Sequence, residues 1–404
     1  MVADAQPMLL AIFGRFLRFG LLAWGGPIAQ IAMIKRELVD EERWLAPSRF
    51  NRLLAVYQVL PGPEAHELCV HIGTTRAGRL GGLAAGLGFM LPGLTLILIL
   101  AWVYGRLDLG HPLVATAFLG VQIAVIALIV RAVHKIADHA LGDRLLWAVA
   151  LASMAATALG VHFWIVLPAA GLAYAAAASG RPGLALLTLA AAVAAALAAG
   201  GGSAPLAGDR AVAGLVEGGS VPPLPLFLSG LKAGLLTFGG AYTAIPFVRS
   251  DAVGRGWVSD AQFLDALALG GIIPAPLIIF ATFVGYLAGG LGGALAMTAG
   301  IFLPAFAFGL LFHDRLERVV EDQRLHRLLE GVAAGVVGLV VVTAVRLGWT
   351  VAQSVPLPAM ATVLFAAALL ILYRWRSRLA VPLVVLGSGL AGAALFASPG
   401  GAVA

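Results

Sequence analysis

Four titratable residues, Glu64, His66, Glu67 and His71, fall within one short and otherwise mostly apolar stretch. Glu64, Glu67 and His71 follow a three-then-four spacing, which puts them on one face of a helix. Acids and histidines inside an apolar span are candidates for binding and passing protons. They follow directly on Pro61-Gly62-Pro63, and a second proline pair occurs as Pro274-Ala275-Pro276. Proline removes a donor N–H and clashes with the carbonyl one turn back, so each pair ends one half-helix and starts another. The new half-helix exposes unpaired N–H groups, around Glu64–Ala65 in one case and Leu277–Ile278 in the other, at the positive end of a helix dipole. An anion satisfies such groups. The plainer alternatives are a structural kink at the prolines and, for the titratable groups, a solvated mouth close to Arg76 and Arg79.

Other residues extend the candidate site. Gly25, Gly26 and Pro27 in the first half answer to Gly239 and Gly240 in the second, and paired glycines serve either close helix packing or close approach of a ligand. Gln58 is a polar candidate beside the first proline pair, and Gln30, Tyr57, Thr237, Tyr242 and Thr243 are further polar groups suited to oxyanion oxygens. Lys35, Arg131 and Arg249 are candidates for attracting an anion, or else anchors that snorkel to the interface. The one cysteine, Cys69, excludes a disulfide framework and a cysteine metal cluster. No nucleotide fingerprint or zinc motif appears, so neither a cofactor nor a bound metal is expected.

The elements that carry these residues are those of a membrane protein. The chain has 404 residues, 61% hydrophobic and 11% charged, against about 25% charged in soluble domains. Apolar runs such as 113–130 and 355–373 are long enough to cross a bilayer. The fold expected is all-α and polytopic, with about thirteen spans, two of which (49–75 and 259–288) are broken by the proline pairs yet still cross. The net charge of +6 resides mostly in short loops, as orientation signals do, and nucleic acid is not an expected partner. The basic loops at 313–327 and 374–378 place the N-terminus in the cytoplasm and the C-terminus outside. That count puts the mixed-charge stretch 35–52 outside, against the rule.

The two halves repeat one another. Gly25 matches Gly239, Lys35 matches Arg249, Trp44 matches Trp257, Pro61 matches Pro274, Gly81-Gly82 matches Gly292-Gly293 and Pro92 matches Pro304, with an offset between 211 and 214. The expected division is a first repeat at 1–182, a linking span and exposed Gly/Pro/Ser-rich loop at 183–223, and a second repeat at 224–404. An odd number of crossings between them inverts the second, a recurring plan of secondary transporters. The repeat mates of Glu64, His66, Glu67 and His71 are Leu277, Ile279, Phe280 and Val284, so both halves frame the site and one supplies the titratable groups.

The run FLRFGLLAWGGPIAQIAMIKREL, then YQVLPGPEAHELCVHIG and GGLAAGLGFMLPG, resembles the chromate ion transporter family. LTFGGAYTAIPF, GGIIPAPLIIFATFVGYLAGG and GIFLPAF resemble the second domain of its long members. The resemblance covers about residues 13–373. It implies a bacterial inner-membrane protein that exports chromate, driven by the proton motive force or membrane potential. Sulfate, a tetrahedral dianion of similar size, is the alternative substrate. A membrane-embedded enzyme and a passive channel are the other classes, and the duplicated frame counts against the enzyme. The large apolar surface suits lipid or a second copy of the chain in a homodimer.

Overall fold

The computed structural model describes residues 5–198, 220–311, 323–375 and 377–397. Most of the expected 183–223 linker loop and of the 313–327 basic loop lie outside the described residues, as does Arg376. Among the described residues every regular element is helical. The first half contains α1 (Ala5–Leu21), α2 (Pro27–Ile34) running into a π-helical turn (Lys35–Glu41), α3 (Pro47–Val59), α4 (Glu64–Tyr104), α5 (Pro112–Ala140), α6 (Arg144–Ala158), α7 (Phe163–Ala178) and α8 (Pro182–Ala198). The second contains α9 (Pro223–Leu235), α10 (Ile245–Ala252), α11 (Asp260–Gly271), α12 (Phe280–Leu311), α13 (Gln323–Ser354), α14 (Pro358–Arg374) and α15 (Ala380–Phe396). Proline opens α2, α3, α5, α9 and α14, where its missing N–H costs nothing.

Among the described residues four stretches are long and apolar enough to cross a membrane: Glu64–Tyr104, Pro112–Ala140, Leu277–Leu311 and Gln323–Ser354. α6, α7, α8, α14 and α15 are shorter apolar helices. Their apolar side chains are widely exposed, as on α8, where Ala185 is the buried residue. A surface of that kind faces lipid, and the chain is an all-α, multi-pass membrane protein.

The longest helices are not straight. α4 doubles back at Ala77 and Gly78, and α12 at Gly289 and Gly290, with the same backbone angles; Gly78 and Gly290 both have φ 61°, a conformation that glycine adopts without strain. Gly73 then packs on the Gly81 carbonyl, and Gly285 on that of Gly293. The contacts therefore pair Gly81 with Gly293, one residue from the register read off the sequence. The part of α4 from 79 to 104 spans about 38 Å, and the part of α12 from 291 to 311 about 31 Å. These two stretches run antiparallel: Gly82 faces Leu310 and Gly86 faces Phe306.

The proline-broken segments also fold back, rather than continuing across as expected. The Tyr57 hydroxyl lies 2.8 Å from Nδ1 of His71, and the Arg76 guanidinium sits 5.3 Å from the centre of the Trp44 ring. A straight helix would hold positions 57 and 71 about 21 Å apart. In the second half Gly270 packs on Phe280 in the same manner. A third fold-back was not expected. α1 stops at Leu21, and Gly25 and Gly26, with φ 90° and 79°, turn the chain so that Glu37 returns to Arg15 at 3.0 Å and Arg18 at 3.3 Å. Gly239 and Gly240, with φ 71° and 118°, make the matching turn, and Lys232 returns to Asp251 at 2.5 Å. Residues 35–52 therefore share a face of the molecule with Arg76 and Arg79, which removes the conflict in the charge count.

The halves interlock. α5 packs on α14 and α15, with Gly120 against the Ser388 carbonyl and Gly392, while α13 packs on α6 and α7, with Gly331 against the Ala170 carbonyl and Gly171. The Lys232–Asp251 and Arg18–Glu37 pairs clasp equivalent hairpins. Asp251→Ala removes the buried carboxylate that Lys232 and Arg255 share and is expected to cost about 3 kcal/mol. Thermal unfolding in detergent should show this loss, and the double variant with Lys232→Ala should recover part of it.

Candidate functional site

The breaks converge. The Gly62 N–H donates to the Thr237 carbonyl at 2.8 Å, joining the proline tip of the first half to the glycine tip of the second. Nε2 of Gln30 donates to the carbonyls of Ala23 at 2.8 Å and Ala275 at 3.1 Å, joining the opposite pair of tips. Gly93 of α4 packs on Ala275. Pro61, Gly62, Pro63, Glu64 and Ala65 are all buried, as are Pro274, Ala275, Pro276 and Leu277. Each proline tip leads into a helix start whose first donors have no intrahelical partner.

The titratable groups line the first tip. Glu64, His66, Glu67 and His71 are buried in this arrangement. Both carboxylate oxygens of Glu67 lack a hydrogen-bond partner. His66 is enclosed by Phe302 and Phe306, with ring centres at 5.0 and 4.8 Å, and by Phe89. His71 meets Tyr57.

The remaining candidates are distributed unevenly. Arg131 lies within electrostatic reach of the Tyr242 hydroxyl, which borders a cavity of about 10 Å³ also lined by Gly271 and Leu277, too small for an ion. Arg249 is engaged by Asp260 through Nε at 2.8 Å and Nη2 at 3.0 Å. Lys35 and Gln58 are half-buried and take no part in the two inter-tip bonds. A side chain on Gly26, Gly239 or Gly240 would meet nothing, so these glycines serve the turn and leave room, rather than packing helices together.

Two residues escaped the sequence reading. Arg378, taken as an orientation signal, has its Cα beside Gly25 at the first glycine tip. Asp265 is a buried acid on α11 that accepts from Tyr104 and Gln122. A lone acid inside an apolar run was its available signal.

The two proline tips differ at their centres for a visible reason. Gly62 has φ 150°, and a Cβ there would strike the Glu67 carboxylate. Its counterpart Ala275 faces no acid, because the mate of Glu67 is Phe280. Gly62→Ala is therefore expected to destabilise by about 1–3 kcal/mol, and Ala275→Gly by less than about 1 kcal/mol. Thermal unfolding of the two variants in one detergent measures the difference.

A family model described as chromate transporter matches residues 10–198 and 224–393. A protein named chromate transport protein from Pseudomonas aeruginosa is 59% identical over 96% of this chain and 93% of its own. Another of that name from Cupriavidus metallidurans is 29% identical over 93% of this chain and 90% of its own. A probable chromate transport protein from Synechococcus elongatus is 27% identical, covering 93% of each chain. No solved structure matches the chain. With both halves matched by the family model and a near full-length relative at this identity, the chain belongs to the chromate transporter family.

Proposed function

We propose that the protein exports chromate across a bacterial inner membrane, binding the dianion where the broken helices of the two halves meet. The observation that carries this reading is the pair of bonds linking the proline tip of each half to the glycine tip of the other. The N–H groups of Glu64–Ala65 and Leu277–Ile278 hold the oxyanion, and Arg131 and Arg378 offset its charge from the sides of the glycine tips. The tight packing at Tyr242 fits a closed state that must open to load.

The two repeats, 1–182 and 224–404 joined through 183–223, are inverted in this account. The antiparallel course of 79–104 and 291–311 supports that. With the hairpins re-entering, nine helices cross, the basic face of Arg43, Arg76 and Arg79 is cytoplasmic, and the C-terminus is outside. An inside-negative potential contributes about 2.3 kcal/mol per charge per 100 mV to export, and about twice that for a dianion. Glu64 is the proton site nearest the substrate. As a carboxylate it repels the dianion at the same helix start, and protonated it does not. A proton carried outward with chromate cancels one of its two charges, so coupling here trades driving force for binding.

Everted vesicles, in which efflux becomes uptake, test this. Chromate should accumulate when they are energised, stop with an uncoupler, and lose part of its dependence on pH in Glu64→Gln. Sulfate uptake without chromate uptake would name the other oxyanion as substrate, and uptake that ignores the uncoupler would remove the energised step.

A further inference from the structure

One buried carboxylate has no part in the junction. Asp265 on α11 is 3% exposed. Tyr104 Oη donates to its Oδ2 at 2.7 Å, and Gln122 Nε2 to its Oδ1 at 2.9 Å. Tyr104 ends α4 and Gln122 lies in α5, so these two bonds tie a hairpin arm of the second half to two long helices of the first. The arm leads directly to the second proline tip, nine positions beyond Asp265.

Among the described residues no cation is paired with it, and Arg106, two positions past Tyr104, lies over the Trp102 ring. α12 and α15 carry no charged side chain among their described residues, and it is Phe283 of α12, not Tyr286, that meets the Tyr104 ring. Arg131 of α5 lies nine positions past Gln122, about 14 Å along the helix. On α4, Arg79 lies at the opposite end of the stretch that ends in Tyr104. On α13, Arg346 reaches the Thr157 carbonyl, and Arg324, His326, Arg327 and Glu330 cluster at its start. On α11 itself, Asp260 is taken by Arg249. Among the described residues, the titratable group shown against Asp265 is the Tyr104 phenol.

A carboxylate matched by two neutral donors holds its charge through those bonds alone, and a buried charge of that kind is costly. The ionised acid accepts both. The protonated acid has an O–H that needs an acceptor, while both facing groups now donate. Tyr104 must then turn its hydroxyl, or Gln122 its amide, and the ties to α11 change. We propose that Asp265 is a second proton-binding site, in the half opposite Glu64, whose protonation loosens the α11 arm from Tyr104 and Gln122. The proposal rests on the transport reading for its role in the cycle, but not for proton binding itself.

Two measurements on the full chain test it. In infrared titration of purified protein, acidification should raise a carboxyl carbonyl band that is absent in Asp265→Asn and displaced in Tyr104→Phe. In everted vesicles, chromate flux should lose the pH dependence that remains after Glu64→Gln is allowed for in Asp265→Asn, and keep it in Asp265→Glu. A band untouched by Asp265→Asn, or an Asp265→Asn flux with the wild-type pH profile at any rate, overturns the proposal. If Asp265→Asn does not fold, an unmoved band in Tyr104→Phe overturns it instead. Wild-type protein that carries no chromate defeats the transport reading, and the infrared result then decides on Asp265 by itself.

Discussion

A helix that stops inside a bilayer leaves backbone donors and acceptors where no water can take them. In the proposed arrangement this chain stops helices there at Gly25–Gly26, Pro61–Pro63, Gly239–Gly240 and Pro274–Pro276. Each stop is tolerable because another tip lies against it. The Thr237 carbonyl takes the Gly62 N–H, and Gln30 takes the carbonyls of Ala23 and Ala275. Neither half can complete its tips alone, and this need for the other half explains the interlocked helices around them. The proline tips still leave first-turn donors at their helix starts, which the proposed oxyanion would complete.

The frame is duplicated and its chemistry is not. Both halves use a cation–carboxylate clasp, Arg18–Glu37 and Lys232–Asp251, and both double back at a glycine with φ 61°. Only the first places acids and histidines after its proline tip. The second places its acid before the tip, at Asp265, where the ionised form is held by neutral donors. If the proposed proton sites and anion site hold, two protonatable groups in opposite halves give those halves different responses to pH, a way to make one arrangement open inward and the other outward.

Much of this was legible in the sequence. Proline acts locally, so the breaks at Pro61–Pro63 and Pro274–Pro276 and their recurrence could be read from residue type and spacing. The fold-back at those breaks could not, because it is fixed by contacts between distant positions, such as Tyr57 with His71 and Trp44 with Arg76. The sequence leaves the glycine pairs open between close helix packing and close approach of a ligand, and does not show the chain turn there; the positive φ angles do. The clasps are hard to read from the sequence because residue type changes at both partners, Arg18 to Lys232 and Glu37 to Asp251. Asp265 was missed because its mate, Arg52, is not an acid.

The central claim is that the oxyanion sits among the four tips. Chromium anomalous diffraction from protein crystallised with chromate locates it directly. The account predicts a chromium peak within contact of the backbone nitrogens of Glu64–Ala65 or Leu277–Ile278, weakened when excess sulfate is added. A chromium peak only elsewhere, such as the apolar groove between α5, α13 and α14, would contradict it.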